Sequence, residues 1–317
     1  MGMSNFPNGF LGGVVVRGMP LLQLHPGKVV WVNNSSVKAD GAIAGSDSNS
    51  GDMRHPLATI DAAIGKCVAG RGDIIAVMPG HSENLTASNV ITADVAGVAI
   101  VGLGVGSLMP KLQYDHASAL VTVSADNVSL VNLRFTASVT AVVNAVSVAD
   151  GADHCTISGC VFDVDLEGTD EFNDAIQLND ASNQAVIEGN TIDMGIAGAV
   201  SAIAFVKDTD KTVVRKNVIR GDYSTANIRG ATTLSTRLLI ENNLLENGIG
   251  GNLGTEPAIE LLTGTTGTIR RNDIVCNLAT KAAAIVADTA LLFENYYNED
   301  ISSAATGGII GTASADD

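Results

Sequence analysis

From about residue 125 the chain repeats one short phrase. It reads ISGCVF from Ile157, IEGNTI from Ile187, VRKNVI from Val214, IENNLL from Ile240, IRRNDI from Ile269 and LFENYY from Leu292. The fourth position is Cys160 and then Asn190, Asn217, Asn243, Asn272 and Asn295, in steps of 30, 27, 26, 29 and 23 residues. Before each phrase lies a second short apolar strand, centred in turn on Val146, Ile176, Ile203, Ile228, Ile259 and Ile285. Two or three strands per repeat of this length, with loops of variable size between them, predict a solenoid and not a sandwich. The composition agrees: 34 glycines and 4% aromatic residues suit short strands and tight turns better than long helices.

The recurring asparagines are expected at a corner, where they would tolerate a left-handed bend and stack their amides on the coil below. Two residues ahead of them stand Glu188, Arg215, Glu241, Arg270 and Phe293. On one outer face these would alternate in charge from coil to coil at ~4.8 Å. The pattern resembles the pectate-lyase-like superfamily. The fold class is therefore all-β: a single-stranded right-handed parallel β-helix with a short N-terminal capping helix and an N-terminal arm. Coils from about 73 to 300 would give eight or nine turns.

Upstream, PLATIDAAIGKCVA places Ile60, Ile64, Cys67 and Val68 at helical spacing behind Pro56. A capping helix is expected over 56–69, closing an edge that could otherwise recruit another chain. It is followed by GRGDIIAVMPG, and the whole stretch resembles the start of many β-helix proteins. The tripeptide Arg71-Gly72-Asp73 then reads as helix stop plus strand start, not as an adhesion signal. The domain boundaries follow as an arm and docking segment over 1–55, the β-helix over 56–300 and a fraying tail over 301–317.

Thirty-four acids against 18 bases leave a net charge of −16, which opposes nucleic acid and anionic membrane as partners. No basic segment precedes the apolar N-terminal stretch, so neither a signal peptide nor a membrane span is expected. The four cysteines, Cys67, Cys155, Cys160 and Cys276, lack metal spacing and read as free, mostly buried thiols.

Chemistry has few candidates. The outward row before each phrase would be Ser147, Gln177, Ala204, Arg229, Glu260 and Val286, whose one acid and one arginine could pair. That is too little for the two carboxylates of a glycosidase. The run FDVDLEGTDEFND puts Asp163, Asp165, Glu167 and Asp174 on positions of a calcium-loop pattern, with a solvated acidic face as the competing reading. Calcium is the one cofactor considered, and no cofactor is the expectation. The five histidines are scattered, without metal spacing or a nucleophile motif beside them.

The stretch NFPNGFLGGVVVRGMPLLQLHPGKVVWVNNS, continued by GSDSNSGDMRHPLATIDAAIGKCVAGRGDIIAVMPGHSE, resembles a group of phage proteins encoded among virion structural genes and described as right-handed β-helix proteins. The resemblance covers roughly the first 105 residues. It implies a non-enzymatic virion component of the head-decoration or cement type, held on the capsid surface by its N-terminal arm after assembly in the host cytoplasm. The major capsid protein would be its partner, with Phe6, Phe10 and Arg17 as anchors. By analogy with proteins at symmetric capsid positions, a homotrimer is expected. The alternative is a tail-associated protein that binds or cleaves a host surface glycan, using Asp163 or Asp165; a host polysaccharide lyase is a third reading.

Overall fold

The computed structural model describes residues 27–38, 41–86, 91–166, 168–179, 181–196, 198–230, 234–248, 256–276, 278, 281–287, 289–298 and 308–310, and the strand pair 15–16 with 19–20. Its strands form three long sheets of ten, ten and eight strands, each built from strands contributed by successive coils. With one antiparallel exception at the C-terminal end, the pairing within them is parallel, so the chain is a parallel β-solenoid of right-handed type. The eight-stranded sheet spans seven coil-to-coil steps. The first sheet begins with Val29–Val32 and ends with Leu291–Phe293, the second begins with Ser82–Leu85, and the third runs from Ile91–Ala93 to Ile285–Val286.

The register is the one the repeat requires. Val146, Ile176, Ile203, Ile228, Ile259 and Ile285 pair in one continuous row of the third sheet. In the first sheet the opening residue of these phrases points inward, and Ile157, Ile187, Val214, Ile240 and Ile269 are all buried. The larger coils are filled by aromatics, with Phe135 stacked on Phe162 at 4.7 Å and Tyr114 edge-on to Phe172 at 5.0 Å.

Asn190, Asn217, Asn243, Asn272 and Asn295 stand one above another, fully buried between the first and second sheets. The Asn217 Oδ1 accepts from both the backbone N–H and the Nδ2 of Asn190, each at 3.0 Å. Its own Nδ2 donates to the Ile187 carbonyl and to the Asn243 Oδ1, again at 3.0 Å. The same set recurs at Asn243 and Asn272, and Cys160 heads the column by donating its N–H to Asn190. Every amide in mid-column is thereby satisfied without water.

The left-handed residue is not the asparagine. It is the residue before it: Gly189, Lys216, Asn242, Arg271 and Glu294 have φ of 65°, 56°, 55°, 53° and 49°. The correction has a simple reason, since the bend must precede the amide for the amide to point into the coil. A non-glycine residue there costs ~1–2 kcal/mol, which the column of amide bonds offsets.

The N-terminal boundary also moves. Val29–Val32 pairs in register with Ile74–Val77, so the solenoid begins at Val29, inside the segment expected to be an arm over 1–55. The expected capping helix over 56–69 is a five-residue helix, Ile60–Ile64, with Thr59 at its N-terminus accepting from the Ala62 N–H. Val68 instead donates its N–H to the Asp73 side chain, a turn bond that a helix through 69 could not make. Residues 51–57 run beside Val29–Val32, with Trp31 N–H to the Gly51 carbonyl, Leu57 N–H to the Trp31 carbonyl and Asn33 N–H to the Leu57 carbonyl, each at 2.8 Å.

Asp73 answers the adhesion question. Its carboxylate is fully buried and accepts from Lys28 N–H, Val68 N–H and the Arg71 guanidinium at 2.6–2.8 Å. The Arg71 hydrogen bonds hold its pKa down to about 2. Gly72, with φ of 74°, makes the turn into the strand. Helix stop is corrected, because the helix ends at Gly65; strand start stands. At the other end Gly308–Ile310 pairs antiparallel with Asn295–Tyr297, so the expected fraying of 301–317 does not extend to those three residues.

All four cysteines are free, and Cys155, Cys160 and Cys276 are buried. Burial pushes these three thiols up to about 12. A group whose folded pKa is raised contributes stability that is present below the unfolded value and lost as pH rises towards the folded one. About one unit above the ordinary thiol value each costs on the order of 1 kcal/mol, so stability should fall by a few kcal/mol between pH 8 and pH 10. Urea unfolding at the two pH values measures this, and an unchanged midpoint would contradict it.

Candidate functional site

The outer face of the third sheet carries a cluster of linked polar side chains. Strands Val142–Val148, Phe172–Leu178, Ser201–Phe205 and Ala226–Gly230 stack in register there. The pairing skips Ala145, Ala175 and Ala202, all buried, so each of these coils bends at a small residue. On either side of the bend the polar residues converge.

Arg229 holds Asp174 two coils away. Its Nη2 donates to Asp174 Oδ2 at 2.8 Å, and its Nε lies 3.3 Å from Asp174 Oδ1 and 3.1 Å from Ser201 Oγ. Ser201 Oγ donates to Asp174 Oδ1 at 2.6 Å. Beside them Asn144 Nδ2 donates to Gln177 Oε1 at 2.6 Å. The Asn144 Oδ1 is buried without a hydrogen-bond partner. Asp174 and Ser201 are buried, and the carboxylate is held as an acceptor between a guanidinium and a hydroxyl.

Ser147, Gln177, Ala204, Arg229, Glu260 and Val286 do pair in one row. Arg229, however, does not turn to Glu260, its neighbour one coil on; it reaches back to Asp174, because Ser201 and the bend offer a buried anion there. Glu171, just before this strand, accepts from the Ala141 N–H at 2.9 Å, and burial raises its pKa above the ordinary carboxylate range.

The acidic run does not close into a loop. Asp163 lies in the second sheet, where Arg134 donates to it at 2.6 Å and Thr136 Oγ1 at 2.7 Å. Asp174 lies in the third sheet with Arg229. Asp165 follows the strand and donates its N–H to the Ala137 carbonyl, and Glu167 lies outside the described residues. The calcium-loop spacing is thus spread over two faces by the strand geometry, and among the described residues no three His, Cys, Asp or Glu side chains gather as a metal cluster.

Phe6, Phe10 and Arg17 also lie outside the described residues. His81 is buried: its Nδ1 accepts from Asn34 N–H at 3.2 Å, which leaves the proton on Nε2, directed at Glu83 Oε2 at 3.2 Å. Glu83 also accepts from the Ile60 N–H at 3.1 Å, so the pair ties the helix to the second sheet. Sequence reasoning missed this network, and it missed Asn144 and Ser201. The available signal was their register with Asp174, one row removed from the residues that were read.

The charged ladder is in place. Glu188, Arg215, Glu241, Arg270 and Phe293 form one row of the first sheet, with Arg215 bonded to Glu188 at 2.6 Å and Arg270 to Glu241 at 2.7 Å. The family model described as protein of unknown function, DUF1565, matches residues 43–293. No curated protein and no solved structure matches the chain.

Proposed function

The chain belongs to the DUF1565 protein family, and from that premise we propose that it is a non-enzymatic structural protein of a phage virion, a decoration or cement protein on the head. The observation that carries this reading is how the polar side chains are used. Asparagines bond asparagines, Arg215 and Arg270 bond the glutamates one coil before them, Arg134 bonds Asp163 and Arg229 bonds Asp174. These groups join coil to coil, and the product of such wiring is a stiff rod of ~43 Å along the ten-stranded sheet. The resemblance of the first 105 residues to virion-encoded β-helix proteins supplies the setting, with residues 1–26 as the arm and the major capsid protein as its partner.

Co-sedimentation with heads purified from a phage lacking the gene tests this. The full chain should bind saturably, and a chain lacking residues 1–26 should bind at least tenfold more weakly. The glycan-cleaving reading is favoured by Glu171, whose pKa is raised by burial, the direction a general acid needs. Release of oligosaccharide from host surface polymer, abolished in Glu171→Gln, together with no binding to heads, would overturn the structural reading.

A further inference from the structure

The outer face of the first sheet is unlike that of the second. The second sheet's outer face carries Lys111, Arg134, Asp163, Asp193, Arg220 and Glu246. The first presents two rows. One runs Thr156, Val186, Val213, Leu239, Thr268 and Leu291 and has no charge at all. The other runs Ser158, Glu188, Arg215, Glu241, Arg270 and Phe293. Leu291 and Phe293 are each 62% exposed, and a shallow groove of about 530 Å³ lies along Leu239, Thr268 and Leu291. A solvated sheet face is ordinarily polar, and an aliphatic row on a chain of net charge −16 marks an interaction surface.

The charges identify the occupant. Glu188, Arg215, Glu241 and Arg270, read backwards with each sign inverted, give the same order. A surface with that symmetry is complementary to itself under a two-fold rotation, which is the property an isologous interface requires.

We propose that this face binds a second copy of the chain about a two-fold axis that lies in the interface, runs along the strands and passes between the coils of Arg215 and Glu241. The two solenoids are then antiparallel. Glu188 meets Arg270 of the second copy and Arg215 meets Glu241 of the second copy, each twice over. In the uncharged row Val213 meets Leu239, Val186 meets Thr268 and Thr156 meets Leu291. Arg215 and Arg270 keep part of their side chains exposed, 39% and 42%, and each has guanidinium donors beyond the carboxylate it already holds. With the axis along the solenoid instead, each coil would face the same coil of the other copy, and no glutamate would lie level with an arginine. Two chains this acidic repel over much of the rest of their surface, so a strip whose alternating signs complement themselves also sets the register.

Sedimentation equilibrium of the full chain tests the proposal, with a dimer expected at twice 32.4 kDa. Register is tested by a Thr156→Cys, Leu291→Cys double variant under mild oxidation, with the wild-type chain as the thiol background. Within one chain these positions are five strand steps apart, ~24 Å, too far for an internal disulfide. The double variant should form a covalent dimer, and Thr156→Cys alone should not. Arg215→Glu should weaken the dimer at least tenfold, with its circular dichroism unchanged. A monomeric mass for the wild-type chain at 100 µM, about the concentration of a weak dimer, would overturn the proposal. So would a trimeric mass, the association expected by analogy with proteins at symmetric capsid positions, or cross-linking of Thr156→Cys alone, which would mean parallel solenoids.

Discussion

Replacing Asn217 with leucine should lower the unfolding free energy by about 4 kcal/mol, among the largest losses that a single polar substitution can cause here. The substitution keeps the number and branching of the side-chain heavy atoms and removes four hydrogen bonds: two accepted from Asn190 and two donated, to the Ile187 carbonyl and to Asn243. The Asn190 N–H is then buried and unpaired, at ~1–3 kcal/mol, and the Ile187 carbonyl keeps only its ladder bond to the next coil. Asn217→Asp should be worse, because an oxygen would face both the Ile187 carbonyl and the Asn243 Oδ1. Asn295→Leu, at the end of the column, removes three such bonds and should cost less. Urea unfolding of the three variants measures the series. A loss below 1 kcal/mol at Asn217 would mean that the column is incidental to the stacking of the coils.

Asp174→Ala should cost about 3–4 kcal/mol, the range for removing one partner of a buried ion pair. It leaves the Arg229 guanidinium, 19% exposed, without its anion, and it strips Ser201 Oγ of its acceptor. The double variant Asp174→Leu, Arg229→Leu should recover most of that loss, since a buried pair replaced by apolar side chains is nearly neutral. A double-mutant cycle reads the coupling directly. If the single and double variants are equally unstable, the cluster is not a coupled unit, and the bend at Ala175 rather than the ion pair holds this face together.

The solenoid was legible because its register is written in residues whose burial is obligatory. Val146, Ile176 and Ile203 fall in one row since each must fill the same coil position, and the asparagines recur since a buried amide needs another amide above it. The left-handed corner was misplaced by one residue because glycine marks it only at Gly159 and Gly189. At Lys216, Arg271 and Glu294 the conformation is imposed by the coil and leaves no mark on composition. The first strand, Val29–Val32, was assigned to the arm because no phrase accompanies it, although its aliphatic row matches Ile74–Val77. The Arg229 partner was out of reach for a different reason. Fifty-five residues separate it from Asp174, and only the stacking of the coils across one intervening strand brings them together.

The most direct test of the structural reading is the copy number of the protein in purified virions, by quantitative mass spectrometry against the major capsid protein. A head-decoration role predicts hundreds of copies per particle. Complete absence from the virion would contradict the account, and a handful of copies would move the protein to the tail and make Glu171 the residue to study.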